Sequence, residues 1–292
     1  MSRIENLTKV LGLLICLVFA IFPEGNSELQ FTLFALILLS IGIPHGAIDH
    51  LISNPKIDRK GLLKFLLVYL SLITGYLLIW YFFPLLALGA FLVMSAYHFG
   101  QSHFISESLP KGPTWPLFLS RGGYFLFAIL LGDWAGTKLI LSSLIDLGFL
   151  DSDRLLILGS LFLLTVIIQS ISGPKLSKIQ FLECLILGPI LYFSPLLIGF
   201  VIYFGFWHAL PSMISEYKFL SKNSAYNTVK KFGIQLLPFS LISFIGIGLI
   251  LFLGLEFLET NQLVLLFFVL ISLISFPHIL YMDRFLKSQN QN

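Results

Sequence analysis

Six histidines are the residues of this sequence whose type and spacing could do chemistry: His45, His50, His98, His103, His208 and His278. All of them lie within apolar runs. An imidazole is costly to strip of water without a partner, so histidines in such runs mark a site when they gather. Nitrogen ligation suits iron, copper or zinc, and facing histidines can also hold a haem. Cys16 and Cys184 sit inside apolar runs far apart in sequence, with no CxxC spacing. Neither a disulfide nor a thiolate-bound structural zinc is therefore expected.

Two segments repeat the spacing His-x4-His: Pro44-His45-Gly46-Ala47-Ile48-Asp49-His50 and Tyr97-His98-Phe99-Gly100-Gln101-Ser102-His103. On an ideal helix, positions five apart differ by about 140°, so the two rings of a pair cannot point the same way. Either Gly46 and Gly100 loosen the turn, or one histidine of each pair is primary and the other has a neighbouring role. Asp49, four residues after His45, shares its face. It is placed to orient a metal-bound imidazole by accepting the second ring N–H.

The elements that must position these residues are membrane spans. The 292 residues are 57% hydrophobic and 11% charged, against about 25% charged in a soluble domain. The chain lacks the polar surface to coat itself in water, and lipid is the solvent that fits. Apolar runs between polar breaks give roughly ten candidates, near 7–23, 29–50, 61–83, 84–105, 115–132, 154–171, 179–194, 195–213, 232–254 and 261–282. The expected fold is an all-α bundle of about eight to ten spans, forming one integral membrane domain over 1–292. The first run is read as a retained span, because no small-x-small cleavage site closes it.

Charge sets the direction. The N-terminus and every second connection carry Arg3, Lys9, Lys56, Arg59, Lys60, Lys64, Lys111, Lys175, Lys178, Lys218, Lys222, Lys230, Lys231, Arg284 and Lys287. The other connections carry Lys138 and Arg154 with Glu24, Glu28, Asp133, Asp146, Asp151, Asp153, Glu256 and Glu259. The positive-inside rule then puts both termini in the cytoplasm. The basic residues are dispersed between apolar runs rather than gathered in a patch, so the net charge of +3 reads as topology and not as a nucleic-acid surface. All six histidines fall on spans two, four, eight and ten, which run outside to inside, each near its cytoplasmic end. A shared depth on four parallel spans is the mark of one site.

Other polar residues are weaker signals. Glu183 in the seventh span can pair with Arg121 or a histidine, and reads chiefly as a structural group of the bundle interior. Gly122, Gly123 and Gly159 are expected where helices approach closely. Gly42, Pro44 and Gly46 are expected to break regular helix at membrane depth, which is tolerable beside a cavity. Among the aromatic residues, Tyr97, Phe99, Phe206 and Trp207 are candidates to line an apolar tunnel. No phosphate-binding glycine loop, nucleophile elbow or heptad repeat is present.

Gly42-Ile43-Pro44-His45-Gly46-Ala47-Ile48-Asp49-His50 resembles the signature of the Brp/Blh β-carotene 15,15'-dioxygenases, membrane enzymes that cut β-carotene into two retinals. Tyr97-His98-Phe99-Gly100, Phe206-Trp207-His208 and Pro277-His278 are similar to the family's later motifs, in the same order. The likeness runs from about residue 35 to residue 284. It implies Fe(II) held by His45, His98 and His208, with His278 as a fourth or nearby site residue. Two departures leave the fourth ligand open among His278, His50 and His103. This chain has Ser212 where the family often has a second histidine, and His103 where it often has Asp. The resemblance further implies O2 as co-substrate, a carotenoid drawn from the bilayer of the cell (inner) membrane, and a rhodopsin apoprotein as recipient of retinal. A haem-binding electron-transfer protein and a transporter with a histidine proton relay are the alternatives from other classes.

Overall fold

The computed structural model describes residues 3–22, 27–105, 107, 109, 112–172 and 178–290. Glu24, Lys111 and Lys175, and the side chain of Lys178, lie outside the described residues. The described residues form helices and connecting turns, with no strand among them. Nine helices are long and apolar enough to cross a membrane, and the tenth candidate span is the shorter apolar helix Gln180–Tyr192. The all-α polytopic architecture follows from the sequence as expected, because in lipid a helix satisfies every backbone group within its own segment. The protein is a multi-pass membrane protein.

In chain order the α-helices are α1 (Arg3–Ile21), α2 (Ser27–Ile37), α3 (Asp49–Ser53), α4 (Arg59–Phe82), α5 (Pro84–Ser102), α6 (Trp115–Gly132) and α7 (Trp134–Leu141). They continue with α8 (Arg154–Ser172), α9 (Lys178–Tyr192), α10 (Leu196–Ile202), α11 (Leu210–Leu220), α12 (Val229–Gly254) and α13 (Thr260–Asn290). Two stretches depart from α geometry. Between α2 and α3 lie a π-helical turn, Leu38–Gly42, and a 3-10 turn, Pro44–Gly46. Between α10 and α11 the chain is π-helical over Tyr203–Ala209. The first irregularity was expected from Gly42, Pro44 and Gly46; the second was not. Three helices reach further than the candidate spans, α11 to Leu220, α12 back to Val229 and α13 to Asn290. The short α7 was also unforeseen.

The chain packs as two compact units: Met1–Gly42 with Ser95–Pro211, and Ile43–Met94 with Ser212–Asn292. In the first, α6 is a core helix with two thirds of its length buried, packed on α8 and α9. A methyl group at Gly122 would collide with the Ala96 carbonyl oxygen, and one at Gly100 with the Phe118 carbonyl oxygen. Glycine here is what lets the end of α5 meet α6 backbone to backbone. Gly159 has nothing within 4 Å, so the expected close approach does not occur there.

In the second unit α4 and α13 run together. Tyr69 donates its hydroxyl proton to the Ile274 carbonyl at 3.3 Å, and Trp80 Nε1 donates to Ser272 Oγ at 2.9 Å. Ile48, Leu51, Ile52, Leu220, Phe232, Met282 and Phe285 form its buried apolar cluster. The hydroxyl of Thr228 and the carboxylate of Asp58 cap α12 and α4 by accepting from Lys231 N and Gly61 N.

Candidate metal centre

In the first unit, α5 carries His98 and the π-helical stretch carries His208. Their ring centroids are 4.4 Å apart in an edge-on arrangement. Gln101 Oε1 lies 3.1 Å from His98 Nδ1. A carbonyl oxygen only accepts, so Nδ1 holds the proton and Nε2 is the lone-pair nitrogen. Ser102 Oγ hydrogen-bonds His208 Nδ1 at 2.6 Å. Both rings are buried. Phe99 packs against the His208 ring at 4.8 Å, and Phe204 stacks on it at 5.5 Å.

His103 goes elsewhere, as the 140° argument requires. It stacks on Phe125 at 5.0 Å, and its two ring nitrogens bond Glu183 Oε2 at 3.1 Å and the Tyr203 hydroxyl at 3.0 Å. Glu183 also accepts from Arg121 Nη2, from Trp207 Nε1 at 2.6 Å and from Lys9 Nζ at 3.4 Å. Glu183 thus pairs with both Arg121 and a histidine and is the hub of a buried ion network. Of the other tunnel candidates, Trp207 is tied to this hub, Tyr97 packs on Phe118 at 5.7 Å, and Phe206 lies over Gly12 of α1.

In the second unit, the 3-10 turn presents His45 edge-on to His278 of α13, with ring centroids 4.7 Å apart. Asp49 Oδ1 accepts from His278 Nδ1 at 2.8 Å, and Asp49 Oδ2 accepts from the Tyr69 hydroxyl at 3.1 Å. Asp49 therefore does orient an imidazole, but that of His278; its place on the face of His45 did not reveal a partner 229 residues away. Gly46 makes the approach possible, since a methyl group there would lie 3.3 Å from His278 Nδ1. His50 turns away from His45 to pack on Phe239 at 4.9 Å. With Phe65, Tyr69, Ile73 and Ser243 it lines a mostly apolar cavity of about 310 Å3.

Each unit thus holds a pair of buried histidines, and in three of the four rings an oxygen atom engages Nδ1. Such outer contacts fix the tautomer and the ring plane of metal-binding histidines. The donor set fits a divalent metal whose remaining positions stay open, and buried His45, His98 and His208 could hold one. Two residues escaped the sequence reading. Glu216 and Ser212 on α11 are both 0% exposed, and neither Glu216 oxygen nor the Ser212 hydroxyl has a hydrogen-bond partner. The span was expected to stop at 213, which left Glu216 in a basic connection beside Lys218, where a carboxylate is unremarked.

With this geometry in place, comparison with known proteins becomes specific. The profile of the family described as Beta-carotene 15,15'-dioxygenase matches residues 36–285. A Beta-carotene 15,15'-dioxygenase from an uncultured marine bacterium 66A03 is 28% identical over 263 residues, covering 85% of this chain and 90% of that relative. A Probable beta-carotene 15,15'-dioxygenase Blh from Halobacterium salinarum is 24% identical over 285 residues, covering 83% and 81%. No solved structure matches the chain. Membership favours an oxygenase over the haem carrier and the proton relay: the chain belongs to the β-carotene 15,15'-dioxygenase family.

Proposed function

We propose that the protein cleaves β-carotene or a close carotenoid at its central 15,15' double bond. One O2 is consumed, both of its atoms end in the two aldehydes, and the products are two molecules of all-trans-retinal. The observation that carries this reading is the family match over residues 36–285, joined to two pairs of buried histidines on that same stretch. His45, His98, His208 and His278 would hold Fe(II), which when bound supplies the redox chemistry that lets O2 react with an alkene.

The chain's own residues do the rest. Gln101 and Ser102 hold the Nδ1 sides of His98 and His208, and Asp49 holds that of His278. His50 and His103 take outer roles, the first beside the cavity and the second in the Glu183 network. Phe99, lying against the His208 ring, is the aromatic residue suited to align a polyene. A long apolar substrate dissolved in the bilayer reaches such a site laterally, and burial of the site keeps water from the reacting double bond. The charge pattern places both termini in the cytoplasm of an inner-membrane protein. Retinal released into the bilayer is available to a rhodopsin apoprotein.

The test is expression in a carotene-producing bacterium, comparing wild type with His45→Ala and His208→Ala. Loss of orange colour with appearance of retinal in the wild type alone is expected. Unchanged carotene in cells that hold well-folded wild-type protein would sink the proposal.

A further inference from the structure

Glu216 is the group for which the structure offers no internal explanation. It lies on α11, inside an apolar span, 0% exposed, with neither carboxylate oxygen hydrogen-bonded. No basic side chain forms an ion pair with it among the described residues. Ionised, such a carboxylate lacks a countercharge; protonated, its O–H lacks an acceptor. Either state is costly in a dry interior, so an ionisable residue at membrane depth points to a function with a partner.

The surroundings say which partner. Ser212 is one helical turn before Glu216 and therefore shares its face, and its buried hydroxyl is also without a partner. Side chains on a helix incline toward its N-terminus, so the Glu216 carboxylate is carried toward Ser212. In the same unit, Glu216 lies close enough to Asp49 for their charges to interact. Asp49 holds His278, and His278 touches His45. A second carboxylate held near Asp49 with no cation from the protein is a place for a cation from outside. Imidazoles with one carboxylate are a donor set that suits ferrous iron and leaves positions open.

We propose that Glu216 is a carboxylate ligand of the metal that His45 holds, with the Ser212 hydroxyl hydrogen-bonding the ligating group. This rests on the preceding reading only in requiring a metal at His45. The protein does without a second histidine on α11 because a longer acidic side chain one turn further on supplies the donor.

The experiment uses full-length protein in detergent, reconstituted with Fe(II) and separately with Co(II). Metal stoichiometry, the Co(II) visible spectrum and the unfolding midpoint of the metal-free form are measured for wild type, Glu216→Gln and Glu216→Asp. Glu216→Gln is expected to raise the dissociation constant at least about tenfold, to alter the Co(II) spectrum, and to raise the metal-free unfolding midpoint. Glu216→Asp should keep the metal with a shifted spectrum. Unchanged affinity and spectrum in both variants would overturn the assignment. So would a metal-free Glu216→Gln protein less stable than wild type, the mark of a structural carboxylate. If Glu216→Gln yields no folded protein, an unchanged spectrum in Glu216→Asp overturns it alone. Wild type that takes up neither metal overturns instead the iron reading of the previous section.

Discussion

Glu183 and Glu216 are carboxylates on apolar helices, one in each unit, and they live in opposite surroundings. Glu183 is met by Arg121, His103, Trp207 and Lys9, while Glu216 is met by no hydrogen-bond donor. Arg121 is itself fully buried and bonds Gln169, the Gln180 carbonyl and Cys184 as well as Glu183. The first carboxylate is part of what holds its unit together. The second costs its unit stability until something binds. Partner count, more than burial, separates a structural charge from a functional one.

The largest effect that can break this contrast is Glu183→Ala. Removing the acid leaves the Arg121 guanidinium buried without its counterion, and a loss of about 3–5 kcal/mol is expected in detergent unfolding. A loss no larger than that of a surface substitution would dissolve the distinction from Glu216. Next to Arg121, Gly122→Ala forces a methyl group into the Ala96 carbonyl oxygen. Backbone cannot yield as a side-chain tip can, so about 1–3 kcal/mol is expected, read from the same unfolding curves.

Asp49 sharpens the comparison from the other side, because it is a carboxylate whose partner is a histidine. Asp49→Asn should leave the fold intact and weaken Fe(II) binding by about 10–100-fold, measured by metal titration. Unaltered metal affinity would mean that Asp49 only packs His278 in place. The smallest effect belongs to an exposed carboxylate, Asp151. Its hydrogen bonds from Lys138 and then Trp134 hold its carboxyl below the usual range. A lowered folded pKa stabilises above the unfolded value of about 3.9 and is lost as pH falls through the folded one. Asp151→Asn should therefore narrow the gap between unfolding midpoints at neutral and strongly acidic pH, by less than either buried case changes stability. A wider gap would count against the pairing.

Much of the site was legible because histidine is rare where a chain meets lipid. The four ring-paired histidines, and the divergence of His50 and His103, follow from residue type and helical period alone. What could not be read was tertiary or invisible to composition. Asp49 looked like a partner of His45 because they share a face, whereas α13 brings His278 to it. Gly159 looked like Gly122, but nothing packs there. Glu216 was hidden by a helix that runs on to Leu220. The π-helical stretch Tyr203–Ala209 leaves no mark in residue type, since only the hydrogen-bond register changes.

That register has a consequence for how the chain tolerates change in length. A π-helical stretch can be viewed as an α-helix with a residue accommodated inside it. Deleting one residue between Tyr203 and Ala209 would let the segment relax to α geometry, turning everything after it by about 100°. Ser212 and Glu216 would then leave their present face together, while the helix itself lost nothing it needs to span a bilayer. The segment is thus a frame that insertions and deletions cannot enter without re-aiming the rest of the span, however conservative the residues around the gap.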